Sequence, residues 1–130
     1  MMRFISLLFL GFCATASALF AQGRDSTPLT FHKVTDRVYC VEGGRGAQTG
    51  FIIGDECVLV IDAKMDQKSQ ENILAEIARL TRKPVKYLVN THGDGDHING
   101  NRYFPSAVTI ISHEGCRKDF LIPGRDGGAS

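Results

Sequence analysis

The sequence predicts a mixed α/β domain, and two observations carry that class. Short runs of β-branched and aromatic residues recur along the chain, separated by turns bearing glycine and aspartate. One stretch of helical period, over residues 67–81, stands between two of them. A third observation bounds the size: 130 residues with 43% hydrophobic and 22% charged content suit one small globular domain.

The elements follow in order. Val38-Tyr39-Cys40-Val41 is a short β-type run, opened by the turn-like Thr35-Asp36-Arg37. Gly43-Gly44-Arg45-Gly46 is a connecting loop. Gly50-Phe51-Ile52-Ile53 is a second strand, and Gly54-Asp55-Glu56 a tight turn that folds it into an antiparallel hairpin with the third, residues 57–61. That third run, Cys-Val-Leu-Val-Ile, is apolar at every position, so burial on both faces is expected. Asp62 follows it directly. In the helix, Ile73, Ile77 and Leu80 form one stripe that Leu74 and Ala78 widen. Asp66 or Ser69 can cap its start, and Pro84 bars its continuation. Residues 85–90 form a fourth strand, parallel to the third across the helical crossover, and residues 107–112 a fifth.

Upstream of these elements the chain has a different character. After Arg3 no charged side chain occurs between Phe4 and Ala21, and the run passes from very apolar to Ala/Ser/Thr-rich. That is the layout of a secretory signal covering residues 1–18, with Ala16-Ser17-Ala18 as its cleavage site and Ala21 as the alternative. A membrane anchor is the competing reading; the small-residue second half disfavours it. Residues 19–28 then read as a linker, and the folded part spans 29–130, roughly 100 residues, small for an enzyme. Once the signal is removed, no membrane span is expected, and the protein is expected to be secreted or periplasmic.

Basic and acidic residues nearly balance, 15 against 14, so the chain carries no electrostatic footprint for nucleic acid. Cys40, Cys57 and Cys116 remain after signal removal, an odd number without metal-finger spacing. Buried single thiols are the favoured reading; a Cys40–Cys57 disulfide is the alternative that export allows.

The chemistry concentrates in residues 91–97, Thr-His-Gly-Asp-Gly-Asp-His. His92, Asp94, Asp96 and His97 are all candidate metal ligands, and two glycines let the backbone turn them toward one point. A polar turn would explain a lone His, but not four ligand-type residues in six positions at the end of an apolar strand. Imidazole with carboxylate suits Zn²⁺, Mn²⁺ or Fe²⁺ and does not suit Ca²⁺. An EF-hand counted from Asp94 fails because Ile98 and Asn99 fill its fifth and sixth positions. The stretch GGRGAQTG lacks the Gly-Lys-Ser/Thr ending of a phosphate-binding loop.

With these residues in view, the chain resembles the N-terminal half of a metallo-β-lactamase superfamily hydrolase. The resemblance runs from about residue 34 to about residue 113. It is carried by THGDGDHINGN at 91–101, by Val60-Ile61-Asp62 after the hairpin, and by Val38-Tyr39-Cys40-Val41. It implies an αβ/βα sandwich of which about half is present in a truncated domain. It implies zinc, one or two ions: His92 on the first, Asp96 and His97 on the second. Asp96 would also orient the nucleophile, and Asp62 would support the metal loop without binding metal. Thr91, Gly95 and Gly100 match small or hydroxyl positions of the family. Asp94 departs from it, standing where the family has a second His. Either it binds the first metal with harder character, or that site is weak and the protein holds one metal.

The family's remaining ligands come from a second half that is expected to complete the site. His113, after the fifth strand, reads as a structural or supporting residue, and His32 as a polar lead-in. The implied reaction is hydrolysis of a small-molecule ester, thioester, amide or lactam by water that the metal activates. The alternatives are an inactive half-domain and a secreted metal-binding protein without catalysis.

Overall fold

The computed structural model of the protein describes residues 27–120. Six strands form one sheet in chain order: β1 (Thr30–Lys33), β2 (Val38–Glu42), β3 (Thr49–Ile53), β4 (Val58–Ile61), β5 (Val85–Asn90) and β6 (Thr109–Ser112). The first four are an antiparallel meander. Helix α1 (Gln67–Leu80) carries the chain from β4 to a parallel β5. The ligand-rich segment, including the short helix α2 (Gly95–Ile98) and a 3-10 turn (Asn99–Tyr103), carries it on to a parallel β6. Helix α3 (Glu114–Phe120) follows. The mixed α/β class is as the sequence predicts. The expected signal at 1–18, residues 19–26 of the expected linker and the tail at 127–130 lie outside the described residues.

Alternation along the strands sets the core. Phe51, Val60 and Leu88 lie side by side in register on β3, β4 and β5, and all three are fully buried. Val41 and Val58 share that face. Ile73 and Ile77 of α1 pack onto it, and Phe104 closes its end. Tyr39 stacks on Phe51 with ring centroids 4.7 Å apart. Ala78, placed on the helix stripe from its spacing, is exposed instead.

The opposite face of the sheet corrects the expectation for the third strand. Leu59 and Ile61 are half-buried; Ile52 and Tyr87, the register neighbours of Leu59, are each 37% exposed, and Ile111, beyond Val89 from Ile61, is 45% exposed. This apolar face has no layer of described residues comparable to α1.

Four elements were not expected from the sequence. In β1, Phe31 is the one large apolar residue, and the strand sits at the sheet edge with His32 pairing to Glu42 at 3.2 Å. His32 is therefore a cross-strand partner within β1 rather than a lead-in. The others are α2, the 3-10 turn and α3, all too short to show a period. Cys40, Cys57 and Cys116 are free thiols. Strand β3 separates Cys40 on β2 from Cys57, which precedes β4, by about 10 Å across the sheet, and the register sets them a further four residues apart along the strands. That is beyond disulfide reach. Among the described residues no helix is long and apolar enough to cross a membrane.

The start of α1 is set by Asp66, whose carboxylate accepts from the Ser69 amide at 2.9 Å. Burial opposes the Asp66 charge, but hydrogen bonds from Ser69 and Arg45 outweigh it and hold the carboxyl below its usual range. Asp66→Ala is expected to lower stability by about 1 kcal/mol in urea unfolding near neutral pH. A depressed carboxyl contributes stability that is complete above its unfolded pKa and is lost as the pH falls through the folded value. The gap between wild type and variant should therefore narrow below about pH 4.

Candidate metal centre

Strand β4 ends where Asp62 takes a left-handed backbone, φ 57°, an unusual conformation that Asp tolerates better than most residues. The Asp62 amide is held by the Val89 carbonyl at 2.8 Å, and the buried Thr49 hydroxyl reaches the Ile61 and Asp62 carbonyls. This turn aims the Asp62 carboxylate, only 4% exposed, at the end of the neighbouring strand β5. There Oδ1 accepts from the Thr91 amide at 2.8 Å, while Oδ2 accepts from the Thr91 hydroxyl at 2.7 Å and from His97 Nδ1 at 2.9 Å.

These bonds decide which imidazole nitrogens face outward. A carboxylate can only accept, so His97 Nδ1 carries a proton, and in the neutral ring Nε2 then keeps its lone pair. The single proton of the Thr91 hydroxyl goes to Asp62. Its 2.8 Å contact with His92 Nδ1 must then be donated by His92, which leaves His92 Nε2 as the second free lone pair. The two rings lie with centroids 3.9 Å apart.

Each free nitrogen faces a carboxylate oxygen. His92 Nε2 lies 3.4 Å from Asp94 Oδ2, and His97 Nε2 lies 3.6 Å from Asp96 Oδ2. A lone pair opposed to an anionic oxygen calls for a proton or a cation between them. Ligands 2.0–2.2 Å from a tetrahedral zinc sit about 3.3–3.6 Å from each other, so both separations fit two ligands sharing one ion. The donors are grouped as pairs: among the described residues no three His, Cys, Asp or Glu side chains gather on one point. The four residues singled out from the sequence thus stand as two pairs, His92 with Asp94 and His97 with Asp96, with Asp62 behind His97.

Close packing holds the loop in place. Asp96 and His97 lie on one turn of helix rather than in a plain loop, because the His97 amide closes back onto the Asp94 carbonyl at 2.9 Å. Beneath them Asn90 and Asn101, both buried, exchange hydrogen bonds of 2.8 and 3.2 Å. The Ala63 amide holds the His97 carbonyl at 2.8 Å. Gly100 passes so near the chain that a Cβ there would lie 1.8 Å from the Lys64 carbonyl oxygen. Gly93 admits α3, since a Cβ on it would meet Asp119 Oδ2 at 2.9 Å. Buried Cys116 lies in the same helix, its thiol pushed up chiefly by burial. His113 stands apart from the ligand pairs and caps α3, with Nδ1 accepting from the Gly115 amide at 3.1 Å.

Sequence reasoning passed over Lys64, which is fully buried and held between the loop at residues 43–47 and the turn at Gly100. Burial lowers its pKa. The only hint in the sequence was its place two residues after Asp62.

The family model described as the metallo-beta-lactamase superfamily matches residues 43–124. A linear primary-alkylsulfatase of Pseudomonas sp. (strain ATCC 19151) is 34% identical over 59 residues, which is 45% of this chain and 11% of that protein. The mono-zinc form of the metallo-β-lactamase FIM-1 from Pseudomonas aeruginosa superposes with a TM-score of 0.61 at 16% identity, over 75% of this chain and 49% of that one. A metallo-β-lactamase from Hirschia baltica gives 0.61 and 16%, over 72% and 47%. The chain thus spans about half the length of the solved structures it matches and about a tenth of the alkylsulfatase.

Asp62→Ala leaves three donors without their acceptor and is expected to cost about 2–3 kcal/mol in urea unfolding. Gly100→Ala forces an atom into the Lys64 carbonyl and should cost about 3 kcal/mol by the same measurement.

Proposed function

The chain belongs to the metallo-β-lactamase superfamily, and from that premise we propose that it serves a metal-dependent hydrolase, with zinc as the metal. The observation that carries the reading is the pair of imidazole Nε2 atoms, each facing a carboxylate oxygen at the separation of two zinc ligands. In this reading His92 and Asp94 hold one ion, and Asp96 and His97 hold another. Mn²⁺ or Fe²⁺ suits the same donors.

Zinc at these positions would supply Lewis acidity and an activated water for attack on a carbonyl or ester centre. The protein's own residues do the rest. Asp62 fixes the tautomer and angle of His97 directly and those of His92 through Thr91. Asp96 is half exposed, so its carboxylate has room both to hold metal and to orient an attacking water. Asp94 brings negative charge and a short reach where the family has His, which gives the first position a harder character. The substrate is a small molecule bearing an ester, thioester, amide or lactam. The N-terminal signal pattern supports export to the periplasm or the medium.

Two observations favour a second reading, in which this stretch is a half-site without activity of its own. No three donors gather on one point among the described residues, and the matched structures are about twice as long. In this reading both ion shells and the open apolar face of the sheet would be completed by further chain of the kind those structures have.

Isothermal titration of the full chain with Zn²⁺ tests the first part of the proposal. Binding at micromolar metal is expected, weakened at least about tenfold by His92→Ala or His97→Ala; no binding at micromolar metal removes the metal reading. A panel with nitrocefin, generic esters and a primary alkyl sulfate separates the two readings. Turnover that needs metal and disappears in both variants identifies the hydrolase, and zinc binding without turnover identifies the half-site.

A further inference from the structure

Among the described residues Lys64 is the one basic side chain with no solvent exposure, and it forms no ion pair there. The Asp66 carboxylate acts on it only at a distance, a buried ammonium without a direct ion pair is expensive, and Met would fill the same space without that cost. Its acceptors are backbone. Nζ donates to the Gly43 carbonyl at 2.7 Å and to the Ala47 carbonyl at 2.5 Å.

Those two carbonyls bracket the glycine-rich loop between β2 and β3. Gly43, Gly44 and Gly46 all adopt positive φ there, a conformation that glycine reaches readily and leaves as readily. The loop bears on the candidate centre. The Ala47 amide donates to the Asp96 carbonyl at 3.1 Å, and a Cβ on Gly46 would lie 2.8 Å from that same oxygen. The Met65 amide holds the Arg45 carbonyl at 2.9 Å, so the chain beside Lys64 grips the loop a third time.

We propose that Lys64 is a positioning residue for the Asp96–His97 end of the centre. By clamping the Gly43 and Ala47 carbonyls it fixes the glycine loop, and through the Ala47 amide the loop fixes the backbone that carries Asp96. Lys64 does not touch a ligand atom. Its reach to the metal rests on the reading of Asp96 and His97 as a zinc pair; its reach to the loop does not.

The test compares full-length wild type with Lys64→Met by amide hydrogen exchange and by Zn²⁺ titration followed at the His97 ring by NMR. In the variant the Ala47 amide should exchange at least about tenfold faster relative to the Val60 amide of β4, and zinc at His97 should bind about tenfold more weakly. Unchanged Ala47 protection in a folded variant overturns the proposal. So does faster Ala47 exchange with unchanged zinc affinity, because the loop then fails to reach the site. If neither protein binds zinc, the metal reading fails by itself, and Ala47 exchange alone decides whether Lys64 holds the loop. If Lys64→Met does not fold, Lys64→Gln keeps amide donors in place and should give Ala47 exchange between the two; wild-type protection in Lys64→Gln would count against a need for the ammonium.

Discussion

The carboxylate of Asp62 is the anchor on which the ligand-rich loop hangs. It is buried at the end of β4, on a left-handed residue, and three hydrogen bonds from Thr91 and His97 converge on it. Because it accepts from the Thr91 hydroxyl, that hydroxyl has no proton left for His92. One acid therefore sets the proton position of two rings. The parallel pairing of β4 with β5 makes this possible, since it brings the ends of both strands to the same edge of the sheet. That pairing in turn needs the α1 crossover, whose buried Ile73 and Ile77 hold the helix on the sheet.

Around the anchor, the backbone approaches itself more closely than side chains would allow. Gly100 lies against the Lys64 carbonyl, Gly46 against the Asp96 carbonyl, and Gly93 against Asp119. Three glycines thus let three separate segments press on one short loop. The Asn90–Asn101 pair satisfies the polar groups trapped beneath it. The outcome is a loop whose backbone is fixed from several sides, while His92, Asp94 and Asp96 remain open to solvent. Proposed as a metal centre, such an arrangement needs little reorganisation when an ion arrives.

Much of this was legible in the sequence where the signal is local. The apolar runs at residues 50–53 and 85–90, the helical stripe through Ile73 and Ile77, and the cap at Asp66 are short-range patterns, and the structure has them. The density of ligand-type residues in 91–97 is likewise local, and those side chains stand in two His–Asp pairs. Beyond local pattern, legibility failed. Which nitrogen of His97 faces outward depends on an acid 35 positions away in the chain. Lys64 looks like any surface lysine until the fold buries it among carbonyls. The uniform apolarity of residues 57–61 suggested burial on both sides, yet one face of the sheet is covered less than the other, because apolarity states what a strand can bury and not what is there to cover it. The short β1, α2 and α3 carry too few residues for any period.

The claim that Asp62 orients the centre is tested most directly by the tautomer of His97, read from the ¹⁵N shifts and long-range couplings of its ring in metal-free protein above neutral pH. The proton is predicted on Nδ1, with Nε2 unprotonated. A proton on Nε2 with Nδ1 bare would mean that the Asp62–His97 bond does not form, and the account of the centre built upon it would be wrong.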